Sequence, residues 1–353
     1  MSKNKLKLEK ICTFFNGRTK PNSKGRFPVY GGNGIISYIN HYNADNILVI
    51  GRVGAYCGNV FYSRNKCWVS DNAIGIILNE NVSNIKYIFY FLGKTNIRNL
   101  AIGSSQPLIT QDILKNIEID LPSLEEQKRI ADILTALDDK IELNNQMNQT
   151  LEEIASLLYK RWFVDFEFPD DKGNPYKSSG GEMVDSELGM IPKGWEVKEL
   201  GDICETIASG KKKKKIDVDN ALDTSNELIG FIKVKDIINS EIQFSKIEFI
   251  PLLISEEKMR RSILKENDIL LSMAGTIGRT ARVSKEFSNM NINQALATIR
   301  VEDIIMIPYV YCWINSIATQ DSFKSKTVHA VQANLSLSSI RKQKILIPET
   351  KVI

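Results

Sequence analysis

The sequence has few of the residues that metal sites and disulfide frameworks need. Of its 353 residues only two are His and five are Cys. The cysteines are scattered without a CxxC pair, at Cys12, Cys57, Cys67, Cys204 and Cys312, and neither His belongs to a recognisable motif. An odd number of isolated thiols predicts reduced cysteines, and it argues against a zinc site or a disulfide-stapled fold. We expect no metal site in this chain.

Long apolar runs are also absent. No stretch approaches the roughly 18 apolar residues that a membrane span needs, and the N-terminal residues MSKNKLKLEKI contain no signal-peptide core. With 43% hydrophobic and 25% charged residues, the composition is that of an ordinary globular protein, and the length suits two domains. We therefore expect a cytoplasmic protein without a membrane partner.

Catalytic signatures are missing as well. Gly210 precedes five lysines, but the upstream Gly and the following Ser or Thr of a phosphate-binding loop are missing. The tripeptide Asn174-Pro175-Tyr176 resembles the active-site loop of amino-methyltransferases, but it stands in a linker-like segment without a dinucleotide-type fold beside it. The acidic residues between positions 165 and 171 could be arranged as a nuclease metal site, or they are solvated carboxylates after a helix end. Two His without motifs give no support to a hydrolase triad. We predict a non-catalytic chain.

What the sequence does contain is one long, uninterrupted helical pattern. It begins with Pro122-Ser123 followed by Glu125 and Glu126, which is typical of a capped helix start. No Gly or Pro follows until Pro169. Apolar positions then recur in alternating steps of four and three, as in a coiled-coil seam that two Asn interrupt. The seam consists of Ile130, Leu134, Leu137, Ile141, Asn144, Asn148, Leu151, Ala155, Leu158 and Trp162.

A helix of about 40 residues is roughly 60 Å long, which exceeds the width of a small domain. Most of the seam therefore needs a partner helix, and the two central Asn would penalise wrong registers. We interpret the segment as a spacer helix between two domains; the alternative is a core helix of one large domain. The predicted interface residues are Leu134, Leu137, Ile141, Asn144, Asn148, Leu151 and Leu158.

The segments before and after the helix repeat the same anchors in the same order. Gly54 and Gly58 match Gly275 and Gly278, and the connecting loops differ greatly. The other matched segments are residues 8–12 with 200–204, 46–48 with 268–270, 71–74 with 293–296, 107–109 with 334–336, and 117–122 with 345–348. Two domains that share a framework but differ in their loops are suited to recognising two different sequences.

This duplication predicts an α+β fold of two similar recognition domains separated by a long coiled-coil spacer helix. The first domain spans residues 1–121 and the helix residues 122–168. A linker rich in Gly, Pro and Ser follows at residues 169–190, and the second domain spans residues 191–353.

Short β-rich runs at residues 27–30, 46–51 and 73–78 predict strands of the first domain, and basic and aromatic loops connect them. Arg64 and Lys66 stand near Tyr38, Tyr56 and Trp68, and a run of five lysines would repel itself unless it is solvated or faces phosphates. The net charge of 46 − 42 = +4 permits a polyanion partner without demanding one. We predict a DNA-binding face, although solvated loops explain each residue singly. The candidates are Arg18, Lys20, Lys24, Arg26, Arg52, Lys211, Lys212, Lys213, Lys214, Lys215, Arg279 and Arg282.

The helix and its flanks resemble type I restriction-modification specificity subunits, and the resemblance covers nearly the whole chain. Its motifs occur in that family's order: Pro-x-x-x-Glu-Gln at residues 122–127, Leu-x-x-x-Asp-x-Lys-Ile at 134–141, Trp-Phe-x-Asp-Phe at 162–166 and Pro-x-Gly-Trp at 192–195. The resemblance implies that each recognition domain reads one half of a split double-stranded DNA site, and that two antiparallel conserved helices hold the domains apart. It also implies methyltransferase subunits that bind S-adenosylmethionine, restriction subunits that need ATP and Mg, and no cofactor on this chain.

Two departures from the family pattern shape our expectations. The first domain lacks the Pro-x-Gly-Trp opening, and residues 347–353 stand where the family's second conserved helix would begin. We therefore expect the seam to be covered by a second copy of the chain or by a separate helix-donating fragment. The competing interpretation is a truncated assembly or anti-restriction protein that binds methyltransferase subunits without reading DNA productively.

Overall fold

The computed structural model describes residues 5–103, 106–212, 227–325 and 334–353. The chain divides into two compact units, Met1–Asn148 and Gln149–Ile353, and the division falls inside one long helix. Each unit has hydrophobic cores of its own. The candidate residues Lys213, Lys214 and Lys215 lie outside the described residues.

Short strands and two helices form the first unit, ahead of the long helix. The helices are α1 (Ile85–Lys94), α2 (Gln111–Lys115) and the start of α3 (Leu124–Tyr159). The strands are β1 (Lys5–Lys7), β2 (Cys12–Asn16), β3 (Phe27–Gly31), β4 (Gly34–Ile39), β5 (Ile47–Gly51), β6 (Val60–Ser63), β7 (Trp68–Val69), β8 (Ala73–Leu78) and β9 (Glu118–Asp120). The strands that the sequence predicts near residues 27–30, 46–51 and 73–78 are confirmed.

Two sheets and a closing strand pair make up this unit. An antiparallel sheet has the order β2-β8-β5-β6, a smaller sheet has the order β4-β3-β7, and β1 pairs with β9. The central strand β5 is buried along its whole length, because it has the sequence ILVIG and is covered on both sides. Alternate residues point to opposite faces, so Leu48 and Ile50 pack under the helices while Ile47 and Val49 pack toward the smaller sheet.

The second unit contains the end of α3, a π-helical turn at Lys160–Val164 and four shorter helices within the described residues. These are α4 (Leu252–Lys258), α5 (Ile307–Asn315), α6 (Ile317–Ser325) and α7 (Leu337–Arg341). The strands are β10 (Met183–Ser186), β11 (Gly189–Pro192), β12 (Glu196–Glu199), β13 (Cys204–Ser209), β14 (Leu228–Ile232), β15 (Ile237–Ile238), β16 (Glu241–Ile242), β17 (Glu248–Pro251), β18 (Ile269–Ser272), β19 (Thr280–Arg282), β20 (Asn291–Ile292), β21 (Leu296–Val301) and β22 (Lys344–Ile347).

The second unit repeats the topology of the first, which confirms the predicted duplication. Its larger sheet has the order β13-β21-β18-β19, its smaller sheet has the order β17-β14-β20, and β12 pairs with β22. In both smaller sheets the central strand pairs in parallel with the last strand, β3 with β7 and β14 with β20. The glycines matched in sequence also agree, because Gly54, Gly58, Gly275 and Gly278 all have positive φ.

The internal alignment read from the sequence is wrong by one residue in two anchors. Leu48 lies in the core under the helices of the first unit, and its counterpart there in the second unit is Ile269. Leu270, with which the sequence pairs Leu48, faces the smaller sheet instead. Likewise Ala73 corresponds to Leu296, since Gly17 and Gly210 donate to their carbonyls. A shift of one residue turns every strand side chain to the other face, so apolar runs alone leave the register open.

The predicted spacer helix is confirmed as α3, a helix of 36 residues. Ser123 caps it, with its Oγ accepting from the N–H of Glu126 at 3.3 Å and its carbonyl from Gln127 at 2.9 Å. Every residue from 136 to 158 is exposed in the chain. The alternative of a core helix in one large domain is therefore wrong, because most of α3 lies in no core.

Residues 169–190, which the composition predicts as a linker, are folded in the second unit. They contain the hairpin β10–β11, and Tyr176 stacks on Phe168 with ring centroids 4.6 Å apart. Phe168 stacks in turn on Trp195 at 5.2 Å. The Gly, Pro and Ser residues of this segment correctly predict turns. They did not predict that the segment packs on the aromatic rings of Phe168 and Trp195.

A buried ion pair in the second unit gives a test of the fold. Arg300 donates to both carboxylate oxygens of Asp268 at 2.7 Å, and the two side chains are 16% and 0% exposed. Removing one partner leaves a buried charge, so we expect Asp268→Ala to lower the free energy of unfolding by about 3–5 kcal/mol. The exposed pair Lys193–Glu182 is the control, and Glu182→Ala should cost about 1 kcal/mol or less. Urea unfolding followed by tryptophan fluorescence compares the two, and equal losses would contradict the assignment.

Candidate nucleic-acid interface

Several loops of the first unit meet at one end of its larger sheet. The N–H of Gly17 donates to Ala73 at 3.0 Å, that of Arg18 to Val69 at 3.0 Å, and that of Arg52 to Asn72 at 2.9 Å. These bonds join the loops after β2 and β5 to the turn before β8. We call residues 17–26, 32–33, 52–56 and 70–72 the first loop edge.

The first loop edge contains the predicted cations of this unit. Arg18 and Lys20 are exposed, and the Lys20 ammonium is 3.4 Å from the hydroxyl of Ser37. Arg52 is partly exposed, but its Nε is enclosed without a hydrogen-bond partner among the described residues. The enclosed Nε cannot reach an acceptor outside the chain, so only the remaining N–H donors of the partly exposed guanidinium are candidates for binding one.

Lys24 and Arg26 lie farther along the same loop, beside β4. The N–H of Gly25, between them, donates to the Tyr38 carbonyl at 3.2 Å. The Arg26 guanidinium lies 5.0 Å from the centroid of the Phe27 ring. Lys24, Arg26 and Tyr38 are all exposed, so cations and an aromatic ring share this part of the surface.

Not all the basic and aromatic residues of these loops belong to the loop edge. Arg64 reaches Asp139 of α3 at 3.8 Å, and Tyr62 packs on Phe89 of α1 with centroids 6.3 Å apart. The Trp68 indole N–H donates to the Arg18 carbonyl at 3.0 Å, so it supports the loop from behind. The sequence places all these residues in loops, so it did not show which of them lie at the first loop edge and which face α1 or α3.

The second unit has a matching second loop edge, which we define as residues 210–212, 273–278 and 293–295. The N–H of Gly210 donates to Leu296 at 3.2 Å and that of Met273 to Ala295 at 2.8 Å, which repeats the bonds of Gly17 and Arg52. Lys211 and Lys212 are exposed here. The Lys211 ammonium donates to the Lys258 carbonyl at the end of α4, at 2.7 Å, where a positive charge is favourable.

The other two candidates of the second unit lie differently. The Arg279 guanidinium donates to the carbonyls of Ile237 at 3.1 Å and Val234 at 3.4 Å, so it supports a neighbouring loop. Arg282 is on the same face of β19 as Thr280, whose hydroxyl donates to Asn315 of α5 at 2.7 Å. Arg282 is therefore on the helix side of the sheet, and the structure does not bring it to the second loop edge.

Polar amides at the loop edges were missed by a search for cations. Asn72 is exposed at the first loop edge. In the second, Gln294 is exposed, and Asn293 has an enclosed Oδ1 without a partner among the described residues. The sequence did contain a signal for these amides, because residues 71–74 and 293–296 form one of the repeated anchors. Both segments contain polar turn-forming residues.

The two loop edges place different side chains at one backbone position. The carbonyl of Arg52 accepts from Ile109 at 2.9 Å, and the carbonyl of Met273 accepts from Leu335 at 2.8 Å. These two residues are therefore structural counterparts. Arg52 offers several donors, whereas Met273 is apolar and 7% exposed.

The interface predicted on α3 is exposed in the chain. Leu137, Ile141, Leu151 and Leu158 are 56%, 58%, 59% and 48% exposed. Asn144 and Asn148 are also exposed, and Leu134 is partly buried. The apolar surface is wider than the predicted seam, because further apolar residues flank it. These are Ile133, Leu143, Met147, Ile154 and Leu157, which are also exposed. We call the seam and these flanking residues the apolar stripe.

The acidic residues after α3 are each occupied locally. Asp165 pairs with Lys160 at 2.6 Å. Asp170 accepts from the N–H groups of Asn174 and Lys172 at 2.8 Å, and these bonds, the one from Asn174 above all, lower its pKa. Among the described residues no three His, Cys, Asp or Glu gather as a possible metal-ligand set. Nor does this part of the chain contain a helix with the length and apolar character to cross a membrane.

Comparison with known proteins places these features in a family. The family described as the type I restriction modification DNA specificity domain matches residues 2–153 and again residues 192–352. The two matches cover the first unit, α3 as far as residue 153, and most of the second unit. The family pattern therefore occurs twice, as the topology does.

Two curated relatives are specificity subunits of type I restriction enzymes. The MjaIX subunit of Methanocaldococcus jannaschii is 29% identical over 307 residues, which cover 84% of this chain and 66% of the relative. The HindI subunit of Haemophilus influenzae is 26% identical over 296 residues, which cover 70% and 62%. The chain thus spans somewhat less than two thirds of the length of these relatives.

A solved structure shares the fold. The crystal structure of the type I restriction-modification system S subunit from M. genitalium superposes with a TM-score of 0.60 at 15% sequence identity, covering 98% of this chain and 84% of that one. Since the family pattern matches most of the chain and does so on both sides of α3, the chain belongs to the family of type I restriction-modification DNA specificity domains.

Proposed function

We propose that the chain is the DNA sequence-specificity subunit of a type I restriction-modification complex, in which each unit reads one half of a bipartite double-stranded target. One observation carries the proposal: two units with the same backbone frame present loop edges with different side chains. Arg52, which is partly exposed, and Met273, which is buried in the core of the second unit, occupy one position, so the first unit offers guanidinium donors to a base edge where the second unit offers none.

In this proposal some side chains of the loop edges contact DNA phosphates and others contact base edges. The exposed ammonium and guanidinium groups of Arg18, Lys20 and Lys212 are suited to phosphate contacts, which position the protein without reading sequence. Guanidinium and amide groups such as those of Arg52 and Asn293 form paired hydrogen bonds with purine edges in the major groove.

The apolar stripe supports a scaffolding role for α3. It is wider than a seam of two positions, and a wide stripe is typical of a helix that packs against more than one neighbour. We infer that methyltransferase subunits and a second helix cover it, and that restriction subunits join this assembly. S-adenosylmethionine would then bind the methyltransferase partner, and ATP and Mg the restriction partner, while the specificity subunit itself performs no catalysis.

An assembly or anti-restriction protein that bound methyltransferase subunits without reading DNA would need the apolar stripe but not two unlike loop edges. Methylome sequencing of cells that carry this chain and its cognate methyltransferase distinguishes the two functions. A split methylated motif that depends on the chain supports the specificity subunit. Stable binding of the methyltransferase without any motif would support the alternative.

Exchange of one unit should change one half-site. We expect that replacing residues 191–348 with the equivalent segment of a relative alters one half of the methylated motif, because the junctions lie outside the pair β12–β22 that closes this unit. The matched control replaces residues 5–121, whose ends are closed by β1–β9, and should alter the other half. Methylome sequencing reads both exchanges. A change in both halves, or in neither, would refute modular reading.

The lysine run should contribute affinity without selectivity. We expect Gln at residues 212–215, with Lys211 kept because it supports the end of α4, to weaken binding to all sequences. Each lost phosphate contact should lower the salt slope by about 0.9. Titrations at several salt concentrations measure both effects. The charge-matched control replaces lysines outside the loop edges, and equal effects in both variants would contradict a specific role. The control positions are Lys5, Lys7, Lys10 and Lys94.

The purified chain should associate through its apolar stripe. Burial of Leu137 and Ile141 stabilises an interface by about 1.5–3 kcal/mol each, so Asp at both positions should raise the dissociation constant by about two to four orders of magnitude. The control places Asp at Gln149 and Ser156, on the polar side of α3. Light scattering at micromolar concentration measures the mass. An unmutated chain that is monomeric without methyltransferase would overturn this proposal.

A further inference from the structure

Two cations and two aromatic rings form a continuous row at the start of strand β3 in the first unit. The Arg26 guanidinium lies 5.0 Å from the centroid of the Phe27 ring. The rings of Phe27 and Tyr42 meet edge to face with centroids 5.3 Å apart. The Lys66 ammonium lies 4.4 Å from the Tyr42 centroid. We call Arg26, Phe27, Tyr42 and Lys66 the cation–aromatic row.

The rings hold these cations without neutralising them. An aromatic face attracts a cation through its quadrupole and leaves the net charge in place. Among the described residues neither Arg26 nor Lys66 pairs with a carboxylate, whereas Arg64 reaches Asp139 at 3.8 Å. Both row cations are exposed. Long side chains lose conformational freedom when they bind a ligand, and restricting them beforehand lowers this cost. The row is therefore preorganised for an anionic partner.

Exposed cations connect the row to the first loop edge. The turn at residues 32–33 follows one end of β3, and Phe27 begins the other end. The strand has five residues at about 3.3 Å each, so its ends are roughly 16 Å apart. Lys20 lies between them, with its ammonium 3.4 Å from the hydroxyl of Ser37, and Lys24 is exposed farther along the same loop. Positive charge thus follows the whole distance from the loop edge to the row.

The second unit has no cations at the counterpart positions. The parallel pairs β3–β7 and β14–β20 align the two units, and they place Ile229 and Asn289 where the first unit has Phe27 and Lys66. The row is therefore a property of the first unit and not of the shared backbone frame.

We propose that the cation–aromatic row binds DNA phosphates that flank the half-site read by the first unit. This inference rests on the function proposed above. Successive phosphates of one strand advance about 3.4 Å along the helix axis, so the row lies roughly five nucleotides from the turn at residues 32–33. At that distance it contacts the DNA backbone beyond the bases that the loop edge reads. Such contacts position the protein and add affinity that depends on salt and not on sequence.

The test uses the full chain with its cognate methyltransferase and a duplex that carries the split motif. Replacing Arg26 and Lys66 with Gln removes two phosphate contacts, each of which contributes about 0.9 to the salt slope of the binding constant. We expect the slope to fall by about 1.8, with the methylated motif unchanged. The matched control replaces Arg64 and Lys94 with Gln, which removes the same charge from outside the row and should leave the slope unchanged.

A second variant separates the rings from the charges. Tyr42→Leu keeps every cation and removes the aromatic face that holds Lys66. Since Tyr42 is exposed, the substitution leaves the core intact. We expect the affinity for the duplex to fall about threefold at an unchanged salt slope. Equal affinity in this variant and the unmutated chain would overturn the role of the rings.

Uncharged methylphosphonates locate the contact on the DNA. Placed singly beside the half-site that exchange of residues 5–121 alters, they should weaken binding of the unmutated chain and leave binding of the double Gln variant unaffected. An unchanged salt slope in the double variant overturns the proposal. Weaker binding of the methyltransferase by that variant without DNA also overturns it, because the row would then contact an acidic protein surface. A wild-type complex without any split motif refutes the proposed function itself, which is distinguishable from an intact motif with an unaltered salt slope.

Discussion

The structure depends on one constraint: α3 carries a broad apolar stripe that the described residues leave exposed. Residues 136–158 of α3 are all exposed, and they include the greater part of the apolar stripe. A soluble chain tolerates isolated apolar residues, but a continuous stripe favours association. Each unit folds around its own core, so these exposed residues of α3 are not needed to complete either core.

The two units show how one backbone frame supports loops with different side chains. Strands β5 and β18 are buried on both faces, and they fix where the following loops begin. Backbone hydrogen bonds at the start of each loop are repeated in both units. These backbone bonds are kept although the side chain at one matched position differs: Arg52 is partly exposed in one unit, and Met273 is buried in the core of the other.

Much of this architecture was predictable because periodicity and duplication are properties of the sequence. The long helix, the order of the anchors and the matching of the glycines are confirmed. The strand register was not, since ILVIG and ILLS are apolar throughout and show no alternation to select a face. Tertiary contacts decide that Leu48 corresponds to Ile269.

The candidate site was predictable in part for the same reason. The cations of the loop after β2 lie where the sequence places them, on a surface loop. Arg282 does not, because the face of a short strand depends on its partner strand. The width of the apolar stripe was also missed. Apolar residues spaced alternately four and three apart mark the centre of a helix face, but they do not show which residues flank it. Enclosed atoms such as Arg52 Nε become visible only when the surrounding loops are in place.

The two ends of α3 are anchored by different physical means. At its start the anchor is a hydrogen-bonded amide, Gln127. At its end Tyr159 is 9% exposed and packs on Tyr309 and Phe163 with centroids 5.8 and 5.5 Å away, and this burial raises its pKa. Phe166, just beyond, has a φ of 60°, a conformation that persists in a non-glycine residue only where packing enforces it.

An amide fixes orientation and aromatic packing supplies burial, so each end resists a different motion. The hydrogen bonds of Gln127 resist rotation of α3 about its axis, because they have direction. The rings around Tyr159 resist separation of the helix end from the second unit's core, because separation would expose large apolar surface. The first anchor therefore fixes the orientation of α3 on the first unit, and the second holds the end of α3 in the core of the second unit.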